Sequence, residues 1–206
     1  MEKMLGFGRP LGTVMQTCFV VPDLAKAIDY YVRTLNVGPF FVLPHRKQPD
    51  RVYRGTVAPV EVSLAMGFAG NMQIELIEQH DQAPSLFREA IAQRGYGFHH
   101  VGIAHDDVPD VLPTYLAEGF EVVGRSPVPT GGEVLFLEPP EAPYPGFIEL
   151  LPATAEMDER FTRFWRASVD WDGSDAIRSP KKSRIWVLAI STAMPLVNPT
   201  TTGRGR

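Results

Sequence analysis

Two glutamates in this chain sit where carboxylates are costly. Glu75 lies in Ile74-Glu75-Leu76-Ile77 and Glu149 in Ile148-Glu149-Leu150-Leu151, both runs of strand-forming residues. Alternation along a strand turns each carboxylate to the face opposite its neighbours. Burying both costs several kcal/mol apiece, on the order of an unpaired ion in a protein interior, unless charge or metal compensates them. No Lys or Arg lies in the strands that carry them. A divalent cation would neutralise both at once. Two further donors are in place for it, His100 with an imidazole nitrogen and Gln16 with an amide oxygen. One nitrogen and three oxygens form a borderline-to-hard ligand set, suited to Zn, Ni, Co, Mn or Fe and poor for copper(I) or a cluster. Four protein ligands on such an ion leave positions for water or for two oxygens of a substrate.

What would bring these four residues together is an internal repeat. Gln16 to Leu24 aligns with His100 to Val108 at an offset of 84 residues, which also sets Asp23 on Asp107 and Tyr31 on Tyr115. Each copy reads as an apolar strand, an acidic turn and a helix. Asp23 and Asp107 are N-caps, because a carboxylate accepts from the free first-turn N–H groups. Leu24, Ile28, Tyr31, Val32 and Leu35 form one apolar stripe, and Val108, Val111, Leu112, Tyr115 and Leu116 another. Gly38 and Gly119 are expected to end the helices, and Pro113 to weaken the second. Shorter strands are predicted at 40–43, 60–66, 121–123 and 134–137, separated by Pro and Gly. The order is β-α-β-β-β, twice.

The fold expected is therefore α+β, with tandem βαβββ modules forming a paired, partly closed, antiparallel-rich sheet around a central cleft. The first module is placed at 13–80, a linker helix at 81–97, the second module at 98–152, a C-terminal helix at 153–172 and an irregular tail at 173–206. Leu86, Phe87, Ala90 and Ile91 face inward on the linker helix. Met157, Phe161, Phe164 and Trp165 give the C-terminal helix an apolar face, for its own sheet or for a second copy in a homodimer. Ser179-Pro180-Lys181-Lys182 reads as a linker.

With charged residues at 21% and a net charge of −4, the chain is neither disordered in composition nor basic enough for a nucleic-acid surface. Its one cysteine, Cys18, makes no internal disulfide, which fits a reducing cytoplasm. The stretch Ile185 to Val197 falls short of the roughly 20 apolar residues that span a bilayer. The N-terminus lacks the apolar segment of a signal peptide, so a cytoplasmic location is expected.

The segments Gln16-Thr-x-x-x-Val-x-Asp, Phe98-His99-His100-Val-Gly-Ile-Ala and Ile148-Glu149-Leu-Leu-Pro152 resemble the strand motifs of glyoxalase I. That family lies within the vicinal oxygen chelate superfamily of paired βαβββ modules. Its eukaryotic type carries metal on Gln, Glu, His and Glu in chain order, which implies Gln16, Glu75, His100 and Glu149 here. The segment from Pro84 to His100 is also similar to the helix and Gly-rich turn of methylmalonyl-CoA epimerases. The resemblance implies a metal-dependent lyase or isomerase. The cation would stabilise an enediolate or enolate formed at a carbon next to a carbonyl or thioester, and Glu149 or Glu75 would serve as base. Val20 and Gln79 replace an Arg and an Asn that help glyoxalase I, which leads away from glutathione. An apolar or thioester-linked small molecule is then the expected substrate. Phe19, Phe40, Phe41, Tyr53, Phe68 and Phe136 are candidates for an apolar pocket or for plain core. The alternatives on the same fold are an extradiol-type dioxygenase, with two His and one Glu on iron, and a non-catalytic small-molecule binder. His99 is expected on the opposite strand face from His100, as a support or at the surface. Cys18 reads as a buried inert thiol, His80 and His105 as loop or turn residues.

Overall fold

The computed structural model describes residues 3–141 and 146–180. In chain order the elements are β1 (Val14–Val20), α1 (Leu24–Leu35), β2 (Phe40–Gln48), β3 (Val52–Tyr53), β4 (Thr56–Val57), β5 (Val60–Ala69) and β6 (Met72–Gln79). Then follow α2 (Leu86–Arg94), β7 (Gly97–His105), α3 (Val108–Ala117), β8 (Glu121–Pro127), β9 (Glu133–Glu138), β10 (Phe147–Pro152), α4 (Ala155–Ser168) and β11 (Ile177–Arg178). Among the described residues, all eleven strands join one sheet in the order β11-β2-β5-β6-β1-β7-β10-β9-β8-β3-β4. The fold is the expected α+β arrangement of βαβββ-type units, mostly antiparallel, with β1–β6, β7–β10 and β2–β11 parallel.

The repeat is written into the strand register. At the centre β1 and β7 run antiparallel, pairing Cys18 with His100 and Gln16 with Gly102. These two pairs exchange under the 84-residue offset, as a twofold axis between the strands requires. The flanking strands obey the same symmetry: Cys18 pairs with Glu75 on β6, and Gly102 with Glu149 on β10.

One connection departs from the twice-repeated pattern. Between β2 and β5 the chain inserts the short hairpin β3–β4, and β3 pairs with β8 of the other unit. Gln48 and Val52 therefore belong to strands eight intervals apart in the sheet order. A flat sheet would separate them by about 38 Å, at about 4.8 Å per strand. Four residue steps reach only about 14 Å. The sheet must curl until its ends approach, and residues 49–51 cross the mouth of the resulting cleft. The strands also run longer than predicted: β2 and β8 continue through charged or small residues, and β5 through Gly67 to the buried Phe68.

The helices form where their caps place them. The Asp23 carboxylate accepts from the Lys26 N–H, and the Asp107 carboxylate from the Asp110 N–H. Asn36, in the left-handed region at φ 54°, ends α1, so Gly38 does not. Gly38 instead clears Trp171, whose ring would lie 2.6 Å from an added Cβ. Gly119 follows α3 at φ 88°, as expected, and α3 continues through Pro113. On α4, Met157, Phe161 and Phe164 are buried within the chain, and Phe164 stacks on Phe41 at 3.9 Å. The apolar face offered by this sequence is thus used on its own sheet. The expected irregular tail supplies β11, which pairs with Phe40 and Phe41. The apolar stretch Ile185 to Val197 lies outside the described residues. Among the described residues, no helix is long and apolar enough to cross a membrane.

Candidate metal centre

The register places two rows of side chains on the concave face of the sheet. One row runs Glu75, Cys18, His100 and Phe147 across β6, β1, β7 and β10. The next runs Gln73, Gln16, Gly102 and Glu149. Gln16, Glu75, His100 and Glu149 all line a single cavity of about 420 Å³. Ligand atoms of Glu75, His100 and Glu149 lie within 4.8 Å of one another, and all three residues are buried. His100 Nε2 is 3.3 Å from Glu149 Oε2 and 3.7 Å from Glu75 Oε2.

The fit of a cation shows in the atoms left without partners. His100 Nε2 makes no hydrogen bond despite its proximity to both carboxylates, and Gln16 Oε1 is likewise buried and unpartnered. Such atoms cost about 1–3 kcal/mol each when left unsatisfied. Both are lone-pair donors, and both line the cavity that holds the carboxylates. The amide nitrogen of Gln16 donates to Gln73 Oε1 at 2.8 Å, which turns its oxygen away from Gln73. Gly102 makes room for that oxygen, since an added Cβ would lie 2.4 Å from Gln16 Oε1.

His99 departs from simple alternation. The pairing shifts between Cys18–His100 and Phe19–Phe98, so His99 is the extra residue of a β-bulge. The bulge brings its Nδ1 to 2.8 Å from His100 Nδ1. His99 is fully buried, its ring 4.9 Å from Phe87 and 5.2 Å from Phe147. Burial, and next the neighbouring His100, hold its pKa well below the usual imidazole value, so it is neutral. A His100 that donates through Nδ1 has the Nε2 lone pair toward the carboxylates. That is how a metal-binding imidazole is held by its second nitrogen. His99 is thus a support for His100 and not a surface residue.

Glu75 holds a proton more tightly than an ordinary carboxyl. Its pKa is raised to about 7, first by burial and then by the charge of Glu149, with His100 opposing. The Cys18 thiol hydrogen-bonds to Glu75, and burial, then Glu75, push its own pKa well up. Cys18 is a neutral donor there, in keeping with an inert thiol.

A cation missing from the sequence reading also faces this pair. Arg51, on the segment that crosses the cleft mouth, is 2% exposed. Its guanidinium lies 4.5 Å from the Phe87 ring centre and 5.1 Å from that of Phe136. Burial lowers its pKa to about 10, while Glu149 and Glu75 act to raise it. The stretch from His45 to Arg51 is rich in charged and polar residues, and nothing in its spacing marks Arg51 as buried.

Of the six aromatic candidates, Phe136 alone lines the cavity. Phe40, Phe41 and Phe68 are core, Phe19 packs near Tyr31 and Phe98, and the Tyr53 hydroxyl donates to Glu89. The cavity's apolar wall comes instead from Leu43, Val62, Leu64, Met66, Phe87 and Phe161. His80 bonds to Ser63 and His105 packs near Tyr115, and neither lines the cavity.

Residues 15–136, more than half of the chain, match the profile of the Glyoxalase/Bleomycin resistance protein/Dioxygenase superfamily. No curated protein matches the sequence. Among solved structures, methylmalonyl-CoA epimerase from Mycobacterium tuberculosis is similar at TM-score 0.50 and 18% identity, over 73% of this chain and 90% of that one. The Streptomyces coelicolor methylmalonyl-CoA epimerase in complex with 2-nitronate-propionyl-CoA reaches TM-score 0.51 at 17% identity, over 70% and 97%. A hypothetical protein from Bacillus halodurans matches at TM-score 0.50 and 21% identity, over 67% and 91%. At these identities the likeness is one of fold.

Proposed function

The chain belongs to the Glyoxalase/Bleomycin resistance protein/Dioxygenase superfamily, and on that footing we propose that it is a metal-dependent lyase or isomerase acting at a carbon next to a carbonyl or thioester. The observation that carries this reading is the buried Glu75–His100–Glu149 cluster, with two lone-pair atoms, His100 Nε2 and Gln16 Oε1, left unpartnered beside it. Gln16, Glu75, His100 and Glu149 would hold one divalent ion, of the Zn, Ni, Co, Mn or Fe kind. Bound there, the ion supplies Lewis-acid stabilisation of the negative charge that develops on a substrate oxygen.

The chain's own residues supply the rest. The apolar wall of Leu43, Val62, Leu64, Met66 and Phe87 excludes water and so strengthens every charge interaction in the cavity. Glu75 and Glu149 are the groups available to accept a proton from the carbon and return it. A carboxylate whose pKa approaches neutrality is matched to that work. Cys18 and the His99–His100 pair keep Glu75 and His100 oriented. The substrate is proposed to be a small carbonyl compound or acyl thioester that enters under the crossing segment 49–51. The ligand set of two carboxylates and one imidazole favours this chemistry over an extradiol dioxygenase, which uses two His and one Glu.

The test is solvent exchange. In deuterium oxide, metal-loaded protein is expected to wash deuterium into the carbon next to the carbonyl in a panel of small acyl thioesters and keto compounds. Glu149→Gln and Glu75→Gln then identify the base by which of them abolishes exchange with the metal retained. Absence of exchange across the panel, with one metal bound per chain, would favour a non-catalytic binder.

A further inference from the structure

Arg51 has an unpartnered hydrogen-bond donor. Its Nη1 donates to Gln48 Oε1 at 2.8 Å, but Nη2 is buried and has no hydrogen-bond partner. The residue lines the same cavity as Gln16, Glu75, His100 and Glu149. A guanidinium carries five N–H donors and no acceptor, so a buried one needs oxygens around it. Phe87 and Phe136 flank it and supply none. If Arg51 served only as counter-charge to Glu75 and Glu149, it would pair with them directly. Among the described residues it forms no ion pair with either, and its contact to Gln48 and the two rings hold it where it is.

Charge counting points the same way. Of the charged residues lining the cavity, Arg46, Lys47 and Asp50 are exposed and Arg160 pairs with Glu156. Among the buried ones two carboxylates balance one divalent cation, and Arg51 then leaves one positive charge in excess. A buried net charge is costly until an opposite charge arrives. A planar carboxylate fits the free edge of a guanidinium through paired N–H···O bonds.

We infer that Arg51 is the anchor for a carboxylate on the substrate, so that the ligands of this cavity are small carbonyl compounds bearing a carboxylate. The anchor lies on the cleft-crossing segment, so one element both closes the mouth and reads the anion. The charge count rests on the metal reading above, whereas the unpartnered Nη2 does not.

The experiment compares 2-oxobutyrate with its methyl ester, which keeps the ketone and loses the charge. Both are titrated calorimetrically into wild type, Arg51→Lys and Arg51→Met, each with cobalt(II) bound and again after its removal. Wild type is expected to prefer the acid by at least about tenfold, the scale of a charge-assisted hydrogen bond. Arg51→Met is expected to lose at least that much of the preference while binding cobalt(II) at the same stoichiometry. Arg51→Lys, which keeps the charge and is the safer fold, is expected to fall between them, and it carries the test if Arg51→Met does not fold. An unchanged preference in the variants, or none in wild type, overturns the assignment. Should wild type bind no cobalt(II), the metal reading fails by itself. The preference for the acid in the metal-free protein, and its loss in the variants, then still decides the role of Arg51.

Discussion

His100 Nε2 stands 3.3 Å from Glu149 Oε2 and yet forms no hydrogen bond to it. A cation placed between them would be met by the imidazole nitrogen on one side and a carboxylate oxygen on the other. Glu75 Oε2 lies 3.7 Å from the same nitrogen, so both carboxylates flank it.

On the proposed metal reading, removing a ligand should release the ion without unfolding the chain. His100→Ala and Glu149→Gln are each expected to weaken zinc binding by well over tenfold, since even outer partners of metal ligands account for about 10–100-fold. Competition against a chromophoric chelator measures this, with far-UV circular dichroism as the control for folding.

Gly102 gives a subtler probe of the same site. A Cβ at this position would meet Gln16 Oε1 at 2.4 Å and Gln16 Cβ at 2.9 Å. Gly102→Ala is expected to displace Gln16, weaken metal binding and cost about 1–3 kcal/mol by overpacking. Paired metal titration and urea unfolding read the two effects. Unchanged metal affinity would show that the Gln16 oxygen is not a ligand.

The metal-free protein should carry a pH dependence of definite sign. Burial, and then the charge of Glu149, raise the Glu75 pKa from an ordinary 4.5 to about 7. A group that binds its proton more tightly when folded contributes stability that is fully present below pH 4.5 and is lost as pH rises through 7. The Tm of metal-stripped protein is thus expected to fall between about pH 4.5 and 7. Glu75→Gln, which cannot ionise, should flatten that slope, and differential scanning fluorimetry across the range checks it. Added zinc should raise Tm more at pH 8 than at pH 5, because the ion replaces the proton.

The covering of the cavity by α4 has a measurable strength. Phe164 is buried and stacks on Phe41. Phe164→Ala is expected to destabilise the fold by about 3–5 kcal/mol, the usual range for deleting a buried aromatic ring. Equilibrium unfolding in urea measures the loss.

The architecture was legible in the sequence because the repeat was. Matching Gln16 to His100 predicts that Cys18 and His100 exchange roles with Gln16 and Gly102 across the axis, and the strand pairing has that form. The placement of Glu75 and Glu149 on equivalent strands follows from the same symmetry. What escaped sequence reading breaks the symmetry. The β3–β4 hairpin has no counterpart in the second unit, and Arg51 lies on the segment leading into it. A lone Arg after Pro49-Asp50 carries no periodic signal, because its burial depends on how far the sheet curls. His99 escaped for a local reason, since a single-residue bulge reverses the face that alternation assigns. Gly38 failed as a helix stop because Asn36 reaches the left-handed region first.

Cobalt(II) titration of the purified, metal-stripped chain addresses the whole account at its root. Saturation at one ion per chain is expected, with the weak visible bands of a five- or six-coordinate, oxygen-rich site and no sulfur charge-transfer band from Cys18. No uptake, or an intense tetrahedral spectrum with thiolate character, would contradict it.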